Sequence, residues 1–182
     1  ERLFDSLSIQ KNKFPQQVTL ANKVDGAWVK YSTDDVIDIV NDLSNGLMAL
    51  GIKAGDRVGL VSYNRPEWVF ADLAISQIGG INVPMYPNST SDDYEFIINH
   101  AGIELIFAGD EDIFKKLEKA SFPKDQIYSF DMLDDANHWK SISKKCSDTD
   151  LTKIAEIKEK ITKDKIKTNF RKNGKGGKKK KN

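Results

Sequence analysis

The stretch that decides the fold runs from Gly51 to Pro87, GIKAGDRVGLVSYNRPEWVFADLAISQIGGINVPMYP. It holds two short apolar runs, Arg57–Ser62 and Ile81–Tyr86, whose length and β-branched content predict buried strands. A helix is predicted between them, because Asn64 offers a cap, Pro66 suits the first turn and Gly79-Gly80 ends the pattern. A strand, crossover helix and strand of this length form a parallel, right-handed unit. We therefore predict the α/β class.

The same alternation continues on both sides of this unit. Upstream, apolar residues spaced three or four apart from Val36 to Leu50 predict a helix capped by Thr33. Downstream, the predicted elements are a helix capped by Ser91 and running to His100, a strand Glu104–Ala108, a helix Asp110–Ala120 and a strand Gln126–Phe130. This order predicts a doubly wound, mostly parallel sheet with helices on both faces. The residues predicted to be buried in it are Val58, Leu60, Ile81, Val83, Leu105 and Phe107. Pro84 places its strand at a sheet edge or a strand end.

Both ends of the chain differ from this central pattern. After an amphipathic segment, Phe4–Phe14, Asp25-Gly26 predicts a tight hairpin turn between Val18–Lys23 and Ala27–Ser32. From His138 we predict no further strand, only the polar helices His138–Lys145 and Thr149–Lys167. Residues 169–182, NFRKNGKGGKKKKN, contain no aliphatic and no acidic side chain, which predicts a disordered Lys-rich tail. The chain therefore divides into a folded part, residues 1–168, and this tail.

Charge is unevenly distributed along the chain. The net charge of +1 includes seven basic residues within 171–182, which leaves 21 basic against 27 acidic residues elsewhere. The tail is therefore expected to contact polyanions weakly and non-specifically, through counterion release that salt suppresses. No apolar run is long enough to form a transmembrane segment and no secretion signal opens the sequence, so the expected location is the cytoplasm, with peripheral contact at a membrane as the alternative. The lone Cys146 is expected to be a structural or incidental thiol.

Few residues suggest chemistry by themselves. The sequence has no P-loop, no Gly-x-Gly-x-x-Gly and no HExxH motif. His100 is interpreted as a helix C-terminal residue, Asp92-Asp93 as helix N-terminal charge and Asp134-Asp135 as a solvated loop. Arg65 follows a strand and opens a helix, where α/β folds bind anionic ligands, so it either faces a phosphate or pairs with a carboxylate while Trp68 joins the core. The pairing interpretation is favoured, and no catalytic, cofactor-binding or metal-binding residue is predicted.

A family resemblance follows from three motifs within residues 31–102. These are Gly-x-x-x-Gly-Asp-x-Val from Gly51, Asn-Arg-Pro-Glu-Trp at 64–68, and Gly79–Pro87 with its Val-Pro and Tyr-Pro pairs. They resemble the N-terminal region of AMP-forming acyl-CoA synthetases of the adenylate-forming superfamily. Asp93–His100 and Tyr128–Asp131, followed by His138-Trp139-Lys140, are most similar to the long-chain fatty acid branch. The likeness extends over residues 2–168.

The resemblance implies a ligase that joins a fatty acid to ATP and then transfers the acyl group to coenzyme A, with Mg²⁺ accompanying the ATP. In the family a Ser/Thr/Gly-rich loop ending in Pro-Lys-Gly, together with downstream acidic and Arg residues and a C-terminal Lys, holds the triphosphate. These groups have no counterpart in this sequence, and Glu1 stands where an initiator Met is expected. We therefore expect an N-terminal fragment that is inactive alone and binds no cofactor tightly. The alternative is a non-catalytic α/β module with a polyanion-binding tail.

Overall fold

A computed structural model describes residues 2–144 and 147–174, with side chains as far as residue 164. The chain opens with helix α1 (Asp5–Lys13), followed by strands β1 (Leu20–Val24) and β2 (Ala27–Tyr31). The two strands pair antiparallel, and Asp25 and Gly26 between them have φ angles of 48° and 82°. Asp-Gly is favoured in tight hairpin turns because these residues tolerate positive φ. The predicted hairpin is confirmed.

The predicted central unit is present with nearly the expected bounds. Helix α2 (Thr33–Ala49) leads into β3 (Arg57–Val61), α3 (Pro66–Gln77) and β4 (Ile81–Met85). Strands β3 and β4 are parallel, with Arg57 opposite Ile81 and Val61 opposite Met85. The crossover through α3 therefore fixes the α/β class, as the sequence predicts.

The rest of the described chain extends the sheet and covers it. The further elements are α4 (Ser91–Ala101), β5 (Ile103–Ala108), α5 (Glu111–Lys119), β6 (Ile127–Ser129), β7 (Asn137–His138) and α6 (Asp148–Gly174). Within the described residues the five-stranded sheet has the order β4-β3-β5-β6-β7 and every pairing is parallel. Helices α2 and α3 cover one face, α4 and α5 cover the other, and α6 packs on α2 and α3. The doubly wound prediction is confirmed.

The edge position of β4 explains where the burial prediction fails. Val58, Leu60, Leu105 and Phe107 are buried as predicted, whereas Ile81 is 48% exposed and Val83 is only partly buried. The Ile81 amide donates to the Asp56 carbonyl at 2.8 Å. The backbone N–H and C=O groups of every second β4 residue from Ile81 therefore point toward β3, and the backbone of Pro84 lies on the open edge. Proline lacks an N–H group, so it weakens this edge as a template for another strand. The edge prediction for Pro84 is therefore confirmed.

The predicted helix caps are displaced by one residue. Ser32, not Thr33, caps α2 and Thr90, not Ser91, caps α4. Each cap is a reciprocal pair in which the hydroxyl accepts from a backbone amide three residues on and that residue's carboxylate bonds back. The acidic residues at the third position of each helix, Asp35 and Asp93, determine which hydroxyl residue is the cap. Asn64 does not cap α3, whose N-cap residue, Arg65, makes no side-chain capping bond.

The segment after residue 136 was predicted least well. Instead of a helix over His138–Lys145, the chain forms β7, pairs Ser129 with His138, and then makes a 3₁₀ turn at Trp139–Ser141. Trp139 and Ile142 are buried against the α2 and α3 face. Gly46 of α2 permits this approach, because a Cβ there would lie about 2.0 Å from the Ile142 carbonyl oxygen. The prediction that strands end before His138 is wrong.

Helix α6 is longer than the Thr149–Lys167 helix predicted from the sequence. It reaches Gly174, so the prediction of disorder from Asn169 onward is wrong for residues 169–174. Tail residues 175–182 and Cys146 lie outside the described residues, and the predictions made for them are not tested. Among the helices that the structure describes, none combines the length and apolar character required to cross a membrane.

Candidate functional site

The carboxyl edge of the sheet is the natural place for a site in this fold. Neighbouring strands β3 and β5 are followed by helices in opposite layers, α3 and α5. Their connecting loops, residues 62–65 and 109–110, therefore diverge and open a crevice at the strand ends. Doubly wound proteins bind ligands at such a switch point.

Arg65 fills this crevice with its own protein contacts. Its guanidinium donates to the Gly109 carbonyl at 2.9 Å, to Asp131 at 2.8 Å and to Glu67 at 2.9 Å. It also lies 5.4 Å from the centroid of the Phe130 ring. These contacts tie together the loops that follow β3, β5 and β6. The carboxylate-pairing interpretation of Arg65 is confirmed, with Trp68 partly buried against the core.

The charges of the Arg65 cluster, which consists of Arg65, Glu67 and Asp131, are already paired with one another. Burial favours a lower pKa for Arg65, but hydrogen bonds to Glu67 and Asp131 outweigh it and raise the pKa. The Glu67 side chain is only 12% exposed, and Arg65 compensates its charge. An anion entering the crevice would therefore meet two carboxylates that already hold the cation.

The other polar residues considered from the sequence have structural roles. Asp93 accepts from the Thr90 amide and hydroxyl, and Asp134 and Asp135 are exposed in a loop. His100, one residue before the end of α4, stacks on Phe96 at 5.7 Å. Within the described part of the chain, no group of three or more His, Cys, Asp or Glu side chains is placed to hold a metal.

His138, which belongs to the motif most similar to the long-chain branch, lies beside the Arg65 cluster. Its Nε2 is 3.2 Å from the Phe130 carbonyl oxygen, and its ring contacts Trp139. Burial lowers the pKa of His138, opposed by the bond to Phe130. This residue therefore supports the end of β6 in its neutral form at neutral pH.

A groove of about 420 Å³ lies at the carboxyl ends of β3 and β4. Its lining combines aromatic, proline and uncharged polar residues: Ser62, Tyr63, Asn64, Trp68, Pro84, Met85, Tyr86 and Pro87. Tyr63 and Tyr86 are 59% and 83% exposed. The groove therefore offers an uncharged surface with polar groups at its rim, a combination typical of small-molecule sites.

Three side chains from different elements hold the loop that forms one wall of this groove. The hydroxyl of buried Tyr94 donates to the Tyr86 carbonyl at 2.8 Å, and that of Tyr63 donates to the Asn88 side chain at 2.8 Å. Lys116 reaches the Pro87 carbonyl at 3.5 Å. Burial, aided by Asp110 and Asp112, raises the pKa of Tyr94 to about 12, so it stays a donor at all ordinary pH values. The wall is thus preorganised.

Sequence reasoning did not identify this groove. Asn64 and Trp68 were interpreted as a helix cap and a core residue, and Tyr63 and Tyr86 were not considered as site residues. The position of these four residues could have indicated the groove. They lie just beyond the carboxyl ends of adjacent parallel strands or in the helix that follows. Asn64 fails to cap α3 and instead lines the groove.

Comparison with known proteins decides the family. The family model for AMP-binding enzymes matches residues 7–170, which is most of the chain. The chain belongs to the AMP-binding enzyme family. The match includes the Arg65 cluster, the groove and most of α6.

Curated relatives of this AMP-binding enzyme chain include a long-chain-fatty-acid–CoA ligase and a fatty acyl-CoA synthetase. It is 30% identical over 94 residues to long-chain-fatty-acid–CoA ligase FadD15 of Mycobacterium bovis, covering 52% of this chain and 16% of that protein. It is also 30% identical over 112 residues to fatty acyl-CoA synthetase A of Dictyostelium discoideum, covering 62% of this chain and 16% of the relative. The chain thus spans about one sixth of the length of these relatives.

A solved structure shows the same fold. A protein described as a long-chain-fatty-acid CoA ligase from Rhodopseudomonas palustris superimposes with a TM-score of 0.65 at 25% identity. The match covers 82% of this chain and 37% of that chain. The predicted membership of the acyl-CoA ligase group of adenylate-forming enzymes is therefore confirmed at the level of family and fold.

Proposed function

We propose that this chain is the N-terminal part of the catalytic domain of a long-chain fatty acid–CoA ligase. In this proposal the complete enzyme activates a fatty acid with ATP and Mg²⁺ and then forms a thioester with coenzyme A. The observation that carries the proposal is the family match over residues 7–170, together with relatives that are named as a long-chain-fatty-acid–CoA ligase and a fatty acyl-CoA synthetase.

The groove gives this chain a specific role in the proposed reaction. We propose that it forms one wall of the site for the acyl chain or coenzyme A, because it is concave, largely apolar and held in place by Tyr63, Tyr94 and Lys116. The Arg65 cluster is proposed to support this wall rather than to bind phosphate. Its guanidinium is engaged by Glu67, Asp131 and the Gly109 carbonyl. We therefore propose that the chain alone adenylates no fatty acid and binds ATP, Mg²⁺ and coenzyme A weakly.

Binding at the groove is tested by adding decanoate and, separately, coenzyme A to the ¹⁵N-labelled chain. We expect millimolar ligand to shift the amide resonances of Ser62, Tyr63 and Tyr86, since weak ligands occupy a preformed surface only at high concentration. The resonances of Glu104 and Leu105, at the amino ends of the strands, are expected to stay unchanged.

A pair of tryptophan variants makes this test specific. Trp68→Leu alters the groove lining and is expected to abolish the shifts, whereas Trp28→Leu alters a 65% exposed hairpin residue and leaves them intact. If neither ligand produces localised shifts in the unmodified chain, the groove is not part of either site.

The Lys-rich tail is proposed to add weak, non-specific contact with polyanions, with the cytoplasm or a membrane surface as the setting. Heparin binding at low salt is expected to weaken as salt rises, because released counterions supply the driving force. Replacing Lys180 and Lys181 with Gln should weaken the binding more than replacing Lys23 and Lys119, two exposed lysines of the folded part. Equal losses from the two double variants would show that the tail is not the binding segment.

A further inference from the structure

The β1–β2 hairpin presents one face that no other part of the described chain covers. Alternate residues of a strand point to opposite sides, and directly paired residues point to the same side. Leu20 and Tyr31 are paired and pack on the core, so they define the inner side of the hairpin. The outer side carries four exposed residues: Ala21, Lys23, Trp28 and Lys30. These four residues are called the outer hairpin face.

Trp28 is the largest side chain of the outer hairpin face. It is 65% exposed, whereas Trp68 is partly buried against the core and Trp139 is only 4% exposed. Lys23 lies directly opposite Trp28, and Lys30 lies on the same side two residues further along β2. An indole is stable at a boundary where its ring meets apolar groups and its N–H stays hydrated. The face therefore combines an aromatic group suited to such a boundary with two neighbouring amines.

The two lysines of this face are available to an external anion. None of the ion pairs between described residues involves Lys23 or Lys30. The outer hairpin face itself contains no acidic residue, and the one acidic residue of the hairpin, Asp25, lies in the turn. The face therefore presents two positive charges beside an exposed indole.

We propose that the outer hairpin face docks on an anionic phospholipid surface. Trp28 enters the boundary between head groups and acyl chains, and the amines of Lys23 and Lys30 contact lipid phosphates. A bilayer requires no complementary shape, and it attracts apolar and cationic groups together.

The size of the face favours a lipid surface over a protein partner. Two paired strands of five residues span about 17 Å by about 10 Å, which is roughly 170 Å². A stable protein interface buries about 800 Å² on each partner, so this face is several times too small to hold one by itself. The Lys-rich tail is a separate segment, and the docking proposed for the hairpin does not require it.

The test measures quenching of tryptophan fluorescence by vesicles of phosphatidylcholine and phosphatidylglycerol in which the phosphatidylcholine carries brominated acyl chains. Bromine quenches an indole only at close range, so the signal reports a tryptophan that has entered the membrane. We expect quenching in the unmodified chain and in Trp68→Leu, and its loss in Trp28→Leu. Vesicles that lack phosphatidylglycerol should quench far less, because the lysines then meet no net negative charge. Undiminished quenching in Trp28→Leu would overturn the proposal.

A pair of double variants tests the contribution of the lysines. Lys23→Gln with Lys30→Gln is expected to lower the vesicle partition coefficient about 25-fold, because each lysine near an anionic surface contributes about fivefold. Lys53→Gln with Lys119→Gln removes the same charge from exposed lysines outside the hairpin and should lower the coefficient far less. Both double variants keep the Lys-rich tail. Equal losses would show that the hairpin is not the docking surface.

Two further measurements test the orientation and the kind of partner. Val24, which is 46% exposed, lies on the same side of β1 as Leu20, so Val24→Ser should leave the quenching unchanged. Loss of quenching in this variant would contradict docking through the outer hairpin face. A dimer that forms without lipid and disappears in Trp28→Leu would assign the face to a second copy of the chain instead. The vesicles contain no ATP, coenzyme A or free fatty acid, so these results do not depend on the proposed function.

Discussion

An Arg65→Met variant is expected to unfold with a free energy about 2 kcal/mol lower than that of the unmodified chain. The loss arises from the groups that Arg65 now satisfies. Glu67, 12% exposed, would keep its charge without a partner, and the Gly109 carbonyl would lose its donor. Removing one partner of a fully buried pair costs about 3–5 kcal/mol, and the 23% exposure of Arg65 reduces this value. Urea unfolding followed by circular dichroism measures the difference.

A second ion pair provides the matched control. Lys115→Met removes a contact of 2.6 Å with Glu111, in which both side chains are 62% exposed. Such a solvent-exposed pair contributes little to stability, so this variant should be nearly as stable as the unmodified chain. Hydrogen exchange adds a local readout, because only Arg65→Met should speed exchange near Gly109 and Asp131. Equal stability of the two variants would show that Arg65 does not hold the carboxyl edge together.

Much of the fold could be predicted from the sequence because the pattern was strong where the elements were long. Residues 36–50 repeat apolar side chains at helical spacing. The runs from Arg57 and Ile81 are short and apolar, and each follows a glycine-containing turn, so the sequence predicts a helix and two strands. Asp25-Gly26 likewise gave the hairpin through local backbone preference alone. These signals depend on neighbouring residues in the chain.

The errors lie where structure depends on distant contacts. Strand β7 has only two residues and exists because it pairs with β6, which no local pattern shows. Trp139 and Ile142 follow an irregular path because Gly46 leaves room for them. Ile81 is exposed because β4 lies at the edge, and strand order is set by tertiary packing.

The candidate site was less predictable than the fold for the same reason. Arg65 was identified correctly because a strand end followed by a helix start is visible in the sequence. Its partners Gly109 and Asp131 are 44 and 66 residues away, and only the sheet order brings them together. The groove likewise needs the loops after β3 and β4 side by side.

The largest expected effect concerns adenylation by the chain alone. The crevice at the strand ends is filled by Arg65 and its carboxylate partners, which oppose the approach of a triphosphate. Groups that stabilise the charge developing on a departing pyrophosphate contribute about 3 kcal/mol each, so a site that lacks several of them loses many orders of magnitude in rate. We expect the groove to form one wall of the acyl or coenzyme A site and to stabilise none of the charge on the departing pyrophosphate.

The most direct test of this account is fatty-acid-dependent exchange of labelled pyrophosphate into ATP, with Mg²⁺ and several chain lengths. A full-length ligase such as FadD15 serves as the positive control under identical conditions. We predict exchange by the 182-residue chain that does not exceed the no-protein control. Exchange above that control, retained through purification and lost on heating, would contradict the account and place an ATP site within this chain.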